Sequence, residues 1–346
     1  MAMFNILILT NMGKSKYQPA SGAFVRAQFK TLVDLKSTDI DYSYYEMPKV
    51  ALDSTLSIKR YTLFFLCFFK NFILSKKTIN ILHVHFFFPT IVLALSYKLF
   101  RNPKVKIITT FHGSDIYYYE PFKWWYKLCF SFVEHSIFVS KNLKKRFYKK
   151  DMKCDVLPAG IPSVFRHNRK VEKTFDLIFV GTLDENKGIF RLKELVEQLS
   201  ENIQIAIVGS GKLNNVINDL DKYSNVSYFT YCNTEHLAFL YQSSKWLVNL
   251  SYNESFGLVM AEAMACGVPV VASETDGSTS QIKHGVNGYV YKQDSCLVKN
   301  VIGTLKNTSQ ETYELLSKNS LMISEQYKLA VVCEKILKLY LQVGKK

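Results

Sequence analysis

Two carboxylates, Glu254 and Glu262, bracket the stretch ESFGLVMAE, and Glu262 is the only charged residue between Ser255 and Ser273. An ionised carboxylate in so apolar a run is costly unless it accepts hydrogen bonds or meets a cation. Ser255 is a candidate helix N-cap and Gly267 the matching C-terminal stop, with Pro269 beyond it. Glu254 then lies in the loop entering the helix and Glu262 within its body, roughly 12 Å apart along the axis. That exceeds the about 5 to 9.5 Å between the two carboxylates of a glycosidase. It suits a longer ligand with hydroxyl groups at both ends, because a carboxylate accepts hydrogen bonds from a sugar diol. Between those ends, the N–H groups of Phe256, Gly257 and Leu258 can hold anionic phosphates, and Gly257 lets a ligand approach the backbone. A salt bridge to Arg or Lys, or exposure on one helix face, accounts equally for Glu262 when it is read alone.

Other residue patterns compete for chemistry. Asp39-Ile40-Asp41 and Asp219-Leu220-Asp221 match D-x-D, a metal-binding pattern so short that chance produces it, and neither is taken as a metal site. GSGKL (209–213) invites a phosphate-loop reading, but Ala206 and Leu213 stand where that loop needs Gly and Ser or Thr. The loop after the first apolar run, NMGKSKYQPASG, lacks G-x-G-x-x-G, which disfavours a dinucleotide-binding oxidoreductase.

The elements that must carry these residues alternate along the whole chain. FNILIL, DYSYYEM, INILHVH, VKIITTF, HSIFVS and CDVLP read as strands of a first half; FDLIFVG, IQIAIVG, VSYFT, WLVNLS, VPVVAS and GYVY read as strands of a second. Several are apolar on both faces, as parallel strands covered by helices must be. The fold class expected is α/β with two doubly wound, Rossmann-like domains facing an interdomain cleft. The division falls near 157–175, giving domains at 1–160 and 170–324, with a C-terminal helix at about 325–346 packing back on the first.

The formal charge of +15 over 346 residues points to an anionic partner, or to a lysine-rich surface without one. Seven cysteines occur singly, with no C-x-x-C pair, which argues against a zinc ribbon or disulfide framework and for a reducing compartment. MAMFNILILT has no basic residue ahead of its apolar run and reads as a first strand rather than a signal peptide. His83, His85 and Pro89 split 80–101 into strand and helix, and Lys70 and Asn71 interrupt 59–77, so no transmembrane helix is expected.

The block E-S-F-G-L-x-x-x-E-A-M-A-C-G-x-P-V-V-A-S resembles the E-x7-E signature of retaining GT-B nucleotide-sugar glycosyltransferases, the bacterial group called glycosyltransferase family four. SGAFVRAQ near the start, TFHGSD (110–115), LPAGI (157–161), FVGTLDENKG (179–188), AIVGSG (206–211) and GVNGYV (285–290) follow in the family's order. The resemblance implies that Glu254 contacts donor-sugar hydroxyls and Glu262 the nucleotide ribose. It implies that Lys187 pairs with the donor diphosphate, Gly22 lies close to it, and His112 meets the donor sugar from the first domain. Ser255 and the amides of Phe256, Gly257 and Leu258 complete the donor site. Taken alone, Lys187 reads as a solvated turn lysine and His112 as a hydrogen-bonded loop histidine. Asp115 would either orient the His112 loop or simply end it.

Departures from the family pattern are specific. Thr182 stands where a second phosphate-binding Arg is usual, leaving Arg26, Lys14 or Arg191 as substitutes; Ser21, Ser280 and Pro162 replace Gly, Glu and Asp. The implied reaction moves a sugar from a nucleotide diphosphate sugar, UDP-sugar foremost, to a hydroxyl of a glycan or lipid-linked oligosaccharide, in capsule, O-antigen or lipopolysaccharide synthesis. No metal or other cofactor is expected, and no nucleic acid partner. KNLKKRFYKKDMK (141–153) and the aromatic 59–77 segment would dock the chain on an anionic membrane surface, or be a solvated helix and a buried one. The expected location is cytoplasmic, peripheral on the inner face of the plasma membrane. A GT-B nucleotide-sugar epimerase and a non-catalytic nucleotide-binding protein are the alternatives.

Overall fold

All twelve apolar runs are strands in the computed structural model, which describes residues 4–14, 21–35, 39–52, 56–220 and 222–345. The chain divides into two units, one of residues up to Gly160 together with Leu329 onward, the other of Ile161–Lys328. The first holds β1 (Phe4–Thr10), β2 (Ile40–Tyr45), β3 (Ile81–His85), β4 (Lys106–Phe111), β5 (His135–Phe138) and β6 (Cys154–Val156). Its sheet is parallel throughout, in the order β2-β1-β3-β4-β5-β6, with Ile6 opposite Ile81 and His83 opposite Ile108. The second holds β7 (Phe175–Val180), β8 (Ile205–Val208), β9 (Val226–Phe229), β10 (Ser244–Asn249), β11 (Val270–Ser273) and β12 (Gly288–Tyr291). These are also all parallel, in the order β12-β11-β10-β7-β8-β9.

Each sheet is buried because its strands lack polar alternation and must be covered on both faces. In the first unit Ile6, Ile8 and Ile81 pack with Val25 and Leu32 of the helix Ala23–Asp34 and with Val332 and Ile336 of the helix Leu329–Gly344. That last helix starts at Leu329, a few residues later than 325, after a short 3-10 turn at Glu325–Tyr327. Gly160 lets it close on the sheet: a Cβ there would sit 2.8 Å from the Leu329 Cα. In the second unit Leu177, Phe179 and Ile205 pack with Leu192 and Leu195 of the helix Ile189–Gln198. Among the described residues no helix is long and apolar enough to cross a membrane.

Candidate functional site

The second sheet reverses strand order between β7 and β10, and ligands of open parallel sheets bind beyond the strand ends at such a reversal. Lys187 leaves the carboxyl end of β7 and Glu254 that of β10, so the reversal brings them together. The Lys187 Nζ lies 2.5 Å from a Glu254 carboxylate oxygen, both side chains largely shielded from solvent. Two devices fix the lysine. Asp184 caps the 3-10 turn Glu185–Lys187 by accepting the Lys187 N–H at 2.9 Å, and Gly188 follows with φ 75°. A side chain at Gly188 would run into the Leu250 carbonyl, so this turn can lie against the β10 loop only with glycine. Asn186 then ties the turn to that loop, its Nδ2 donating to the Asn253 carbonyl and its Oδ1 accepting the Asn253 N–H.

Glu254 is held from the other side. The Gly277 N–H donates to the Glu254 carbonyl at 2.7 Å, and Gly257 and Gly277 leave the space its side chain fills. A Cβ at either would lie 2.9 to 3.0 Å from the Glu254 Cγ. The buried Gln281 carboxamide donates to the Phe256 carbonyl and, at 3.3 Å, to that of Gly257. The N-cap is therefore Gly257, at φ 82°, rather than Ser255, and the helix runs Leu258–Ala265. The correction has a physical cause: ESF is pinned as a loop by Gln281 and by burial of Phe256 beside Tyr327, and only a left-handed residue can turn from it into the helix. Phe256 and Gly257 thus precede the first helical turn, and Leu258 opens it. The stop at Gly267 is as expected, with φ 77°.

Glu262 stands in the body of that helix, half-buried, and accepts a hydrogen bond from the Tyr241 hydroxyl at 3.2 Å. Burial pushes its carboxyl up to about 7, with the tyrosine hydrogen bond opposing. No Lys or Arg ion pair to it is found among the described residues.

His112 and Gly22 belong to the first unit. His112 follows β4, half-buried, with its ring stacked on Phe86 at 4.4 Å and edge-on to Phe24 at 5.0 Å. Gly22 ends the loop after β1 with φ 71° and caps the helix that carries Phe24. Asp115 orients the His112 loop: buried itself, it accepts the N–H groups of Phe87, His112 and Gly113 at 2.9 to 3.3 Å. Burial pushes Asp115 up to about 6 against those donors. Behind His112 runs a buried polar chain that motif spacing did not single out. His85 Nδ1 is 3.0 Å from His112 Nε2, and the Gln28 carboxamide nitrogen is 3.4 Å from His85 Nε2. An amide nitrogen can only donate, so in this orientation His85 carries its proton on Nδ1 and donates to His112. His83 bonds Tyr340 of the C-terminal helix at 2.5 Å and Thr110 at 2.7 Å. Burial keeps all three histidines neutral, pushing His85 down to about 3 and the other two well below their ordinary value. The signal available in the sequence was HVH, a pair of imidazoles two apart on an otherwise apolar strand.

Thr182 is exposed and brings no charge. Arg191 is engaged with the Leu250 carbonyl at 3.0 Å, Gln293 at 3.1 Å and the Tyr252 ring at 3.6 Å, so it braces the β10 loop. Arg26 pairs with Glu46 at 2.6 Å and holds the Ser21 carbonyl at 2.7 Å, next to Gly22. Lys14 is exposed and adjoins residues 15–20, which are outside the described ones. Of the D-x-D residues, Asp41 pairs with Lys77 and Asp219 with Lys193, while Asp221 is outside the described residues. Among the described residues no group of three or more His, Cys, Asp or Glu is placed to hold a metal ion.

Residues 161–321 match the family model of glycosyl transferases group 1, and residues 40–163 match that of Glycosyltransferase Family 4. An uncharacterized glycosyltransferase of Methanocaldococcus jannaschii is 37% identical over 125 residues, 34% of this chain and 32% of the relative. The aligned stretch thus spans about a third of that relative's length. A second uncharacterized glycosyltransferase of the same organism is 24% identical over 264 residues, 74% of this chain and 73% of its own. The N-acetyl-alpha-D-glucosaminyl L-malate synthase of Bacillus anthracis is 25% identical over 250 residues, 62% of each chain. Among solved structures, sucrose-phosphate synthase of Thermosynechococcus elongatus superposes with TM-score 0.77 at 17% identity, covering 98% of this chain and 99% of that one. HepE of Anabaena, solved with UDP and glucose, gives 0.74 at 15% identity, covering 98% and 100%. The pair of doubly wound domains in these structures is the GT-B fold.

Proposed function

We propose that this chain, a glycosyltransferase of GT-B fold, is a retaining hexosyltransferase that uses a nucleotide diphosphate sugar, UDP-sugar in particular. The acceptor we assign is a hydroxyl of a glycan or lipid-linked oligosaccharide in bacterial surface polysaccharide synthesis, with the enzyme working against the inner face of the membrane. The observation that carries the donor site is the Lys187–Glu254 contact at 2.5 Å at the reversal of the second sheet. It pairs the cation a diphosphate needs with an acceptor of hydrogen bonds from sugar hydroxyls. HepE, a structural neighbour, holds UDP and glucose, which supports the UDP assignment.

In this reading the diphosphate lies against Lys187 and the N–H groups at Gly257 and Leu258, where the helix dipole favours negative charge. Glu254 accepts from donor-sugar hydroxyls, and Glu262 accepts from the ribose diol. The C1–O bond to the diphosphate breaks as the acceptor oxygen bonds to C1 on the same face. The acceptor's proton passes to the departing phosphate oxygen. Lys187 then opposes the charge that develops on the leaving group, which is where an electrostatic contact lowers the barrier rather than merely tightening binding. Neutral His112 offers a hydrogen bond to the sugar without adding charge.

The test is nucleotide release from UDP-, GDP- and ADP-sugars, with and without membrane lipid extract, by the wild type beside Glu254→Ala and Lys187→Ala. Release by wild type alone, stimulated by extract, with inversion of the anomeric centre absent in the product, supports the reading. An anomerically inverted product, or release unaffected by both substitutions, would refute it.

A further inference from the structure

We propose that the first unit carries a surface that binds a bilayer of anionic lipid, built from the apolar outer stripe of the helix Ser57–Phe68 and its π-helical extension Phe69–Ile73. It deepens the lipid-linked acceptor reading given above and rests on it for its purpose.

The charge of the chain is divided unevenly. The first unit has 28 Lys and Arg against 11 Asp and Glu, a net +17, whereas the second has 16 against 18, a net −2. A lysine-rich composition acting without a partner would load both units. Between Asp53 and Asp115 there is no acidic residue, and nine Lys and Arg occur.

The helix in that acid-free stretch is apolar on two sides. Phe64, Phe68 and Ile73 are buried, so one face is accounted for by the core. The other face sets Ile58, Tyr61, Leu66 and Phe69 at helical spacing, and these are 85%, 37%, 60% and 43% exposed. Lys59 and Lys70, both exposed, flank it. The helix is therefore not the wholly buried one that its composition also allowed. Large side chains exposed singly are ordinary, but a continuous stripe rimmed by bases is the pattern of an interfacial helix.

The stripe continues on to neighbouring elements. Burial raises the Tyr119 hydroxyl and the charge of the neighbouring Tyr61 adds to the rise, while Tyr119 itself packs on Trp125 and Phe88. Next to it, the helix Trp124–Phe130 exposes Trp124 by 76% and Leu128 by 55%. Bases close in there too, with Lys127 over the Tyr148 ring and Lys149 over Phe130, beside the basic helix Lys141–Arg146. An apolar centre within a basic surround complements an anionic headgroup layer over acyl chains. A nucleic acid would pair with the bases but would leave Ile58, Leu66 and Leu128 unused.

Sedimentation of the full chain with vesicles tests this. Vesicles of equal phosphatidylglycerol and phosphatidylcholine are compared with pure phosphatidylcholine, and single-stranded RNA is added as a competitor. The expected result is binding to the anionic vesicles, weaker in high salt and unmoved by RNA. Ile58→Glu with Leu66→Glu should weaken it at least about tenfold, as should Lys59→Glu with Lys70→Glu. UDP binding is measured on the same preparations and should not change, which shows that the variants are folded and separates this surface from the donor site. No vesicle binding by a UDP-binding wild type, equal binding to neutral vesicles, full competition by RNA, or variants that bind vesicles as wild type does would each overturn the proposal. Vesicle binding without UDP binding would support it and count against the donor reading instead.

Discussion

Asn186 and Asn253 are hydrogen-bonded in both directions, side-chain amide to main-chain carbonyl at 3.1 Å and main-chain amide to side-chain oxygen at 3.2 Å. The pair closes the β7 and β10 loops on each other, so Lys187 and Glu254, one residue beyond each partner, have no independent freedom. Asn186→Ala is expected to lower kcat/KM for the donor about tenfold, because removing such a pair costs about 1 to 2 kcal/mol of positioning. Steady-state kinetics on a folded variant, checked by its unfolding midpoint, is the measurement.

Lys187 and Glu254 should not respond alike. In the proposed mechanism Lys187→Ala removes a charge that matters most as the leaving group departs, so kcat falls, by about a hundredfold or more. Glu254→Ala removes contacts to the sugar and leaves Lys187 without its partner, so it should alter both kcat and KM while nucleotide affinity holds. Single-turnover kinetics with calorimetry on UDP separates the two. Loss of UDP binding in Glu254→Ala with retention in Lys187→Ala would reverse the assignment.

Glu262 carries a pH signature. Its folded carboxyl, up at about 7 from an ordinary 4.5, binds its proton more tightly in the folded than in the unfolded chain. Stability of the second unit therefore falls as pH rises from about 4.5 to 7 and is flat above. Glu262→Gln should remove that slope and be more stable at pH 8 by about 1 to 2 kcal/mol, a figure lowered for the part of the side chain still open to solvent. In the proposed donor pose the same variant should lose donor affinity, since ribose hydroxyls donate better to a carboxylate than to an amide. Urea unfolding at pH 5 and 8, without and with UDP, reads both effects.

The first unit should show the opposite slope. His83, His85 and His112 are held neutral by burial, while an unfolded histidine takes up a proton below about 6.5. Stability is then constant above about pH 6.5 and declines on acidification, by up to about 1.4 kcal/mol per pH unit for each histidine. His85→Gln should make the decline shallower. Because His112 is neutral throughout, the activity profile of wild type should have no limb near 6.5 that disappears in His112→Gln.

Asp115→Asn keeps one acceptor oxygen but turns an NH2 towards backbone N–H donors of the His112 loop. A loss of about 2 to 3 kcal/mol is expected from this facing of donor on donor in a buried site, with a fall in turnover because the loop carrying His112 is no longer fixed. Thermal unfolding and donor turnover measured together would show both; unchanged stability would contradict the account of Asp115.

The strands and the two-sheet architecture were legible in the sequence because they rest on local facts: double-sided apolar runs and glycines at turns. Ser255 misled as a cap because capping was read from residue type alone, and Gln281, twenty-four positions beyond Gly257, decides which carbonyls are held. Asn186, Gln28 and Tyr340 were equally silent, since their partners lie tens to hundreds of residues away and no spacing announces them. What the sequence determined by itself is the inventory: which elements form and which groups could do sugar-nucleotide chemistry. What only the tertiary structure decided is adjacency. The reversal of strand order puts Lys187 against Glu254, and burial, a property of the packed chain, sets the protonation of Glu262, Asp115 and the three histidines.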